Sequence, residues 1–375
     1  MVNFFPTIYE GELLYSTISR YKRMAGIVNK RAFYRDLYGQ TVSLNNIYFP
    51  IHIDELVKNI GVYSSITSDK IIEKNTVFKI FTAFLNEEKS NKLRSGMKSS
   101  ASFNPYGEIG LSGHKIKFPN NIIYCEKCFD EDLKRYGEAY LRVIHQIPGV
   151  LYCNKHKIPL IKSNILSSES RINYICLDEI ERNNEKVVND DKFKALNLKY
   201  IEMIEWIYKN NVPKKEKEFF NNVYIDKLRE KGFTSSNGSI RVKELTEAIK
   251  EFYGEEYLRI MQSEITRENN WISKFIREGK KNKHILRHLL IIQFLDLSIE
   301  KIFNTKETVG KKEYIYIPNP RLDRDIQRER WLQVLNDNPN LSKSEYKRIG
   351  KGLYSWLYKN DNDWFEKITP KKKKY

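Results

Sequence analysis

Apolar residues recur at helical spacing along most of the chain, and few stretches alternate as strands do. Near the N-terminus, Leu14, Ile18 and Tyr21 share one face of a predicted helix that Gly26 is placed to end. A second short pattern, KRAFYRDLYG, ends at Gly39. Together they outline a helix-turn-helix-like pair, which either enters a DNA groove or packs against a protein partner.

The helical period continues through the C-terminal half. FKALNLKYIEMIEWIYKNN, FFNNVYIDKLREKGF and RVKELTEAIKEFYGEEYL each place apolar residues on one face. IQFLDLSIEKIF, with Ser298 as a helix cap, predicts a further helix-turn-helix unit. RLDRDIQRERWLQVLNDNP, followed by a helix capped by Ser342, repeats that pattern. The fold class predicted is mostly α and multi-domain, with helix-turn-helix units.

The charge balance narrows the class of partner. The 375 residues include 65 Lys and Arg against 48 Asp and Glu, a formal net charge of +17. Such an excess is typical of proteins that bind a polyanion, and nucleic acid is the leading candidate. A generally basic protein with a solvated surface is the alternative. The N-terminus lacks the layout of a signal peptide and no window is a membrane span, which predicts a reducing compartment.

Two cysteine motifs predict a metal site. Cys125 and Cys128 form a C-x2-C, and Cys153 and His156 form a C-x2-H further along. Three thiolates and an imidazole fill the tetrahedral shell that structural zinc prefers, which would leave no open position for catalysis. A redox role for the C-x2-C is the alternative, although no βαβ pattern supports it. Cys176 stands alone and is predicted to be a small buried residue.

The segment between the two motifs predicts a helix. Acidic residues 130–132 suit a helix start, and Leu133, Tyr136, Tyr140 and Val143 follow at helical spacing. Pro148 and Gly149 then turn the chain back. His145 is predicted to be structural, since the four other ligands complete the shell.

Basic residues gather at three places that are candidates for contact with DNA phosphates or bases. The first lies beside the start of the apolar helix LLIIQFLDL, where cations and free backbone N–H groups act on the same anion. The second precedes and follows the start of RDIQRERW, and the third lies at helical spacing in SKSEYKRIGKG. The candidate residues are Arg277, Lys280, Lys281, Lys283, His284, Arg287, Arg321, Arg324, Arg328, Lys343, Lys347, Arg348 and Lys351. A solvated helix face is the alternative for each cluster.

No catalytic arrangement stands out. The chain has no glycine-rich phosphate loop, and its grouped carboxylates, NDD and NDND, occur in loop-like surroundings rather than as a Mg²⁺ site. The sequence therefore predicts a binding protein and not an enzyme.

The run YCEKCFDEDLKRYGEAYLRVIHQIPGVLYCNKHKIPL resembles the zinc-finger signature of the TniQ/TnsD family of transposon target-selection proteins. The positions that match the family signature are Cys125, Cys128, Glu131, Asp132, Gly137, Glu138, Tyr140, Arg142, His145, Gln146, Pro148, Gly149, Cys153 and His156. FPTIYEGELLYSTISRY also resembles the family's N-terminal box, at Phe5, Pro6, Glu12, Leu14, Ser16 and Arg20. The two cysteine motifs depart from the signature at Glu126 and Asn154, where proline is usual. Between the motifs, Leu141 replaces a tryptophan that is common in the family.

The resemblance implies a function. Members of the family select a DNA target, or dock on a complex that does, and recruit an AAA+ ATPase that activates a separate transposase. We expect a sequence-specific reader of double-stranded DNA in the bacterial cytoplasm, associated with the nucleoid. A TniQ-type adaptor on an RNA-guided complex is the alternative. The expected regions are a helical region at 1–120, a Cys3His zinc finger at 121–162, a linker at 163–192, a DNA-binding region at 193–310, and a helix-turn-helix-like region with a basic tail at 311–375.

Overall fold

The computed structural model describes residues 2, 4–39, 46–61, 65–99, 103–113, 115–167, 173–183, 185–235, 238–276, 283–306 and 324–370. The chain divides into two compact units. The first comprises Met1–Phe233 and Arg241–Gly310, and the second comprises Thr234–Ile240 and Lys311–Tyr375. Within the described ranges, no helix is long and apolar enough to cross a membrane.

Helices make up most of the described part of the first unit. They are α1 (Leu14–Ala25), α2 (Lys30–Tyr38), α3 (Ile53–Ile60), α4 (Ser68–Lys74), α5 (Phe78–Thr82), α6 (Glu87–Ser99), α7 (Pro105–Glu108), α8 (Glu126–Tyr136), α9 (Lys194–Lys209), α10 (Lys217–Glu230), α11 (Val242–Tyr253), α12 (Glu255–Ile260), α13 (Trp271–Ile276), α14 (Ile285–Phe294) and α15 (Ile299–Asn304). Short 3₁₀ turns lie at Leu111–Gly113, Ile144–Gln146, Leu177–Glu179 and Asp191–Phe193. The mostly α prediction is confirmed.

One small sheet lies within the first unit. Strands β1 (Asn121–Tyr124) and β2 (Ile161–Leu166) pair antiparallel, with Tyr124 opposite Ile161. The two strands flank the predicted metal motif in sequence, since β1 ends just before Cys125 and β2 begins after His156. Their pairing therefore brings the residue after β1 close to the chain that precedes β2.

The predicted N-terminal helices are confirmed in position and in their ends. Leu14, Ile18 and Tyr21 are buried along α1. Gly26 and Gly39 adopt left-handed backbone at the C-termini of α1 and α2. Glycine reaches this conformation without the steric penalty that other residues incur, which explains why each helix ends there.

A buried ionic network joins the N-terminal box to the segment before the second cysteine motif. Arg20 on α1 is 1% exposed and binds Glu12 through Nε and Nη2, at 3.0 and 2.8 Å. Its Nη1 binds Glu138 at 2.5 Å. Arg23 also binds Glu138, at 3.0 Å, and Asp178 at 2.7 Å. The Arg20–Glu138 contact crosses the predicted boundary at residue 120.

Two sequence-based expectations about this region are wrong. The described part of the predicted linker 163–192 is packed, because single apolar residues enter the core there without any periodicity: Tyr174, Cys176, Leu177, Ile180 and Val188 are all buried. Helix α8 starts at Glu126 and ends at Tyr136, so residues 130–132 lie inside it and Tyr140 and Val143 lie beyond it. Gly137, with φ of 76°, takes the left-handed conformation that ends the helix.

The second unit has its own aromatic core. Its helices within the described residues are α16 (Arg324–Asp337), α17 (Lys343–Asn360) and α18 (Asn362–Ile368). Trp331 is fully buried and packs against Tyr346, Tyr354 and Phe365. Its indole Nε1 donates to Thr369 Oγ1 at 3.0 Å, so the polar group of the largest core residue is satisfied.

A kink divides α17. Lys351 has φ of 40° and ψ of −114° inside the helix, which separates Lys343–Gly350 from the segment that follows. Ser342 caps the first segment. Its side chain accepts a hydrogen bond from the backbone N–H of Glu345, and the Glu345 side chain accepts one from the backbone N–H of Ser342. Ser298 likewise caps α15. Both caps are as predicted from the sequence.

Candidate metal centre and nucleic-acid interface

Two short turns hold the predicted metal ligands. Strand β1 leads directly into Cys125, which precedes α8, and Cys128 lies in the first turn of that helix. Cys153 starts the second turn, in which Lys157 N donates to Cys153 O at 2.9 Å and Cys153 N donates to Ile158 O at 2.8 Å. Since β1 and β2 are paired, the two turns face each other at the same end of the sheet.

The four predicted ligands form one cluster. The ligand atoms of Cys125, Cys128, Cys153 and His156 all lie within 4.8 Å of one another. His156 Nδ1 is 3.4 Å from the Sγ atoms of Cys125 and of Cys128, and 3.7 Å from Cys153 Sγ. Cys128 and Cys153 Sγ atoms are 3.7 Å apart. The cluster has the composition and spacing to hold a metal ion.

The environment of the cluster orients the imidazole and offsets negative charge. Glu131 Oε1 lies 2.9 Å from His156 Nε2, which leaves Nδ1 directed at the thiols. Arg142, near Cys128, donates two hydrogen bonds to Asp132, at 2.7 and 2.8 Å. Burial acts to lower the pKa of Arg142, but these bonds and then the charge of Cys128 raise it. Arg142 is therefore a permanent cation beside the cluster.

The three cysteine thiols can ionise together only if nearby positive charge offsets the charge of the thiolates. Hydrogen bonding to Cys125 and to Cys153 raises the pKa of the Cys128 thiol, because each thiolate opposes the ionisation of its neighbours. A bound cation removes that opposition, so the cluster suits a metal better than it suits three free thiols.

His145 and Cys176 lie outside the four-ligand group. His145 is 2% exposed, and burial lowers its pKa although the adjacent Cys153 acts in the opposite direction. Cys176 is 1% exposed and starts the 3₁₀ turn at Leu177–Glu179, as a small buried residue should. The sequence-based interpretation missed the role of Glu131 beside His156. Its spacing of three from Cys128 on a helix was the available signal.

The basic residues predicted to bind DNA in the first unit are less accessible than expected. His284 is 2% exposed, and its Nδ1 accepts from Leu286 N at 3.1 Å as the cap of α14. Lys283 binds Asn221 and lies 4.5 Å above the ring of Phe275. Such burial removes His284 from the predicted interface. Arg277, Lys280, Lys281 and, later in the chain, Arg321 lie outside the described residues.

Arg287 occupies an unusual position on α14. Its guanidinium lies 5.2 Å above the ring of Trp271, and its Nε is buried without a hydrogen-bond partner. Burial lowers its pKa to about 10. No carboxylate in the described part of the chain forms an ion pair with Arg287, so it stays a candidate anion contact.

The second unit leaves part of its basic surface free. Lys343 binds Glu366 at 2.5 and 2.7 Å, and Arg328 binds Asp361 at 2.7 and 3.1 Å. These two candidates are thus engaged within the fold. The remaining candidates are exposed and form no ion pair with any described residue: Arg324, Lys347, Arg348 and Lys351.

The helical fold, the Cys3His cluster and the exposed cations define a mostly helical protein with a cluster that could hold a metal ion and a basic surface on its second unit. A family model described as TniQ matches residues 3–160, which include all four cluster residues. A model described as Tn7-like transposition protein D, TnsD, matches residues 201–323 and 310–375. The chain is also 21% identical over 370 residues to the transposon Tn7 transposition protein TnsD of Escherichia coli, an alignment that covers 96% of this chain and 72% of that protein. The chain belongs to the TniQ/TnsD family.

Proposed function

We propose that this protein selects the insertion site of a Tn7-like transposon by binding target DNA directly and sequence-specifically. Bound there, it recruits an AAA+ ATPase that in turn activates the transposase. The observation that carries the proposal is the free basic face on the first segment of α17, within the region that the TnsD model matches. The similarity of this chain to Escherichia coli TnsD, across most of its length, supports the role in transposition.

The geometry of α16 and α17 supports a helix-turn-helix. Residues 338–342 connect the two helices, and Asn340 adopts left-handed backbone with φ of 68° in that turn. Gly350 lies against Trp331, where an added Cβ would be 2.5 Å from the indole ring. This close approach packs the first segment of α17 onto α16 and leaves its other face to solvent. In DNA-binding pairs of this kind the second helix enters the major groove.

The outward face of that segment has the chemistry of a DNA contact. Ser344, Lys347 and Arg348 are exposed and recur at i, i+3 and i+4 within the segment, whereas Tyr346 is buried on the opposite side. Lys351 is also exposed, at the kink that ends the segment. Lysine grips phosphates as a point charge, and arginine can also bind the O6 and N7 atoms of guanine through two hydrogen bonds. We assign Arg348 to base contact and the two lysines to the backbone.

We assign a structural zinc ion to the four-ligand cluster. Zinc bonds of ~2.3 Å to sulfur and ~2.0 Å to nitrogen give tetrahedral edges of roughly 3.5–3.8 Å. The distances of 3.4 and 3.7 Å between the ligand atoms fit those edges. With four protein ligands, zinc would have no open position for a substrate, and we therefore assign the protein no catalytic step. Cys125, Cys128, Cys153 and His156 hold together the region that carries the N-terminal network.

Selection of bound duplexes from a random DNA pool tests direct recognition. We expect one preferred sequence, and an affinity that falls steeply as salt rises because counterions are released from each contacted phosphate. Replacing Lys347 and Arg348 by glutamine is expected to relax the preference and to reduce the salt slope by about one per lost phosphate contact. The matched control replaces Lys359 and Lys367, two exposed lysines of the same unit, and should leave the preference intact.

Recovery of no preferred sequence would contradict direct recognition. It would also favour an adaptor that reaches DNA through an RNA-guided complex. An equal loss in the control variant would show that only the total charge matters.

A further inference from the structure

A large apolar groove lies on the first unit, away from the metal cluster in sequence. It opens to a volume of about 1020 Å³ and is bounded by α9, the end of α10, α11 and the segment from the end of α14 into α15. Phe294 contacts Phe233 and Phe252, with ring centroids 6.0 and 5.6 Å apart. Phe252 is 44% exposed on one wall. Phe252 continues the apolar lining of the groove out to solvent, and a contiguous apolar surface of this kind indicates a binding surface.

The charges at the rim favour a cationic occupant over nucleic acid. Glu202, Asp296 and Glu300 border the groove, together with Lys199 and Lys231. All five side chains are exposed, and none forms an ion pair with a described residue. A carboxylate majority is unexpected on a chain whose net charge is +17. It repels phosphate and attracts a cationic partner.

Two of the carboxylates face the same half of the groove. Gln293 donates to Leu196 O at 2.9 Å, and Trp206 stacks on Phe303 at 6.0 Å. The walls formed by α9 and by the segment 293–303 therefore run in the same direction. Glu202 and Glu300 consequently both lie toward Trp206.

The dimensions fit a helix. From Ala195 to Trp206, the lining residues of α9 span ~16 Å at a rise of ~1.5 Å per residue. This length accommodates about three turns of a second helix. A helix bound in a groove of this kind inserts apolar side chains at positions i, i+3 or i+4 and i+7.

We propose that this groove binds an amphipathic helix of a protein partner, with the apolar face of that helix against Phe252 and Phe294 and its basic residues beside Glu202 and Glu300. The groove belongs to the first unit, whereas the proposed DNA contact on α17 belongs to the second. The groove gives the protein a second, protein-specific docking site.

A pair of labelled synthetic peptides tests the proposal on the full chain by fluorescence anisotropy. One peptide places leucines at i, i+3, i+4 and i+7 with lysines elsewhere, and its match has glutamates in place of lysines. We expect the lysine peptide to bind better, against the general repulsion from a basic protein. Ala248→Gln, which fills the groove from a half-buried position, should weaken binding about tenfold.

Charge reversal provides the second variant. Glu202→Lys with Glu300→Lys should weaken the lysine peptide by about tenfold and favour the glutamate peptide. The control is Glu247→Lys with Glu251→Lys, at two exposed positions of α11 outside the lining, which should change neither. Thermal unfolding of each variant checks that the fold is retained.

Three results would overturn the proposal. Equal peptide binding in the groove and control variants would place the peptide elsewhere. Preference of the parent protein for the glutamate peptide would contradict the charge argument. Self-association that Ala248→Gln abolishes in sedimentation velocity would make a second copy the occupant. Ala248→Gln is expected to leave the DNA affinity unchanged, and every groove variant should keep the same preferred DNA sequence, which separates this test from that of target recognition.

Discussion

The ionic network around Arg20 in the first unit and the outward face of α17 in the second unit use charged residues in opposite ways. In the first unit, Arg20 is 1% exposed and is fixed by Glu12 and Glu138. In the second unit, aromatic residues around Trp331 form the core, while Lys347 and Arg348 stay exposed without an ion pair to any described residue. The same residue types therefore stabilise the fold in one unit and remain available to a partner in the other.

This difference shows how the net charge should be interpreted. A formal charge of +17 counts every cation alike, although Arg20, Arg23 and Arg142 are committed to carboxylates inside the first unit. Although burial acts to lower it, the hydrogen bond and charge of Glu12, followed by those of Glu138, raise the pKa of Arg20. Cations held in this way contribute little to the field that attracts DNA.

Removal of a predicted metal ligand should have the largest effect on the first unit and should leave the second unit unchanged. Cys153→Ser is expected to release zinc and unfold the cluster region, since structural zinc contributes roughly 10–16 kcal/mol of binding free energy to such modules. Metal content per chain and hydrogen exchange at residues 121–124 measure this. Helices α16 and α17 should keep their protection, because their core contains no cluster residue.

Cys176→Ser is the matched control for this change. Cys176 is also buried, yet it lies outside the cluster, so its replacement should leave the metal in place. Full retention of zinc by Cys153→Ser would contradict the assigned ligand set.

The buried ionic network should give the next largest effect. Arg20→Met leaves Glu12, which is fully buried, without its cation, and we expect a loss of ~3–5 kcal/mol in the free energy of unfolding. Denaturant titration measures it. Glu12→Gln in the Arg20→Met background should recover part of the loss, because no buried charge is then left unpaired.

Arg23→Met sharpens this result. Arg23 is 31% exposed and also binds Glu138, so its removal should cost only about 1 kcal/mol. Similar losses for Arg20 and Arg23 would show that the network acts through surface charge rather than through burial.

The sequence was sufficient where the arrangement of side chains depends on local spacing. The pairs at 125/128 and 153/156 can each be brought to one ion by a single turn, so the four ligands could be named before the fold was known. The caps at Ser298 and Ser342 are likewise local and are confirmed. The spacing of Glu131 from Cys128 was a local signal for its contact with His156, whereas Arg142 acts on the cluster through a tertiary contact that its position in the chain does not specify.

Burial and ion pairing removed several of the basic residues that the sequence had suggested as DNA contacts. Lys283, His284 and Arg287 form a basic cluster in sequence, but His284 is buried against Phe81 and Arg287 is partly buried over the ring of Trp271. Pairing with Glu366 and Asp361 similarly engages Lys343 and Arg328. Packing between elements distant in sequence determines both outcomes, so the count and spacing of cations could not predict them.

The contact between α16 and α17 should give the smallest loss of stability, confined to the second unit. Gly350→Ala places a methyl group 2.5 Å from the ring of Trp331, which should destabilise the second unit by ~1–3 kcal/mol and weaken sequence-specific DNA binding. Hydrogen exchange of α16 and DNA affinity measure the two effects, while the metal content should not change.

Gly352→Ala distinguishes packing from backbone effects. Gly352 lies two residues further along the same helix, and an added Cβ there would meet nothing within 4 Å. Alanine also favours the helix over glycine by ~1 kcal/mol, so this variant should be slightly more stable than the parent. Because the two substitutions are chemically identical, opposite signs would attribute the loss at Gly350 to the contact with Trp331. Equal losses would instead attribute it to the kink at Lys351, and the proposed docking of α17 on α16 would lose its main support.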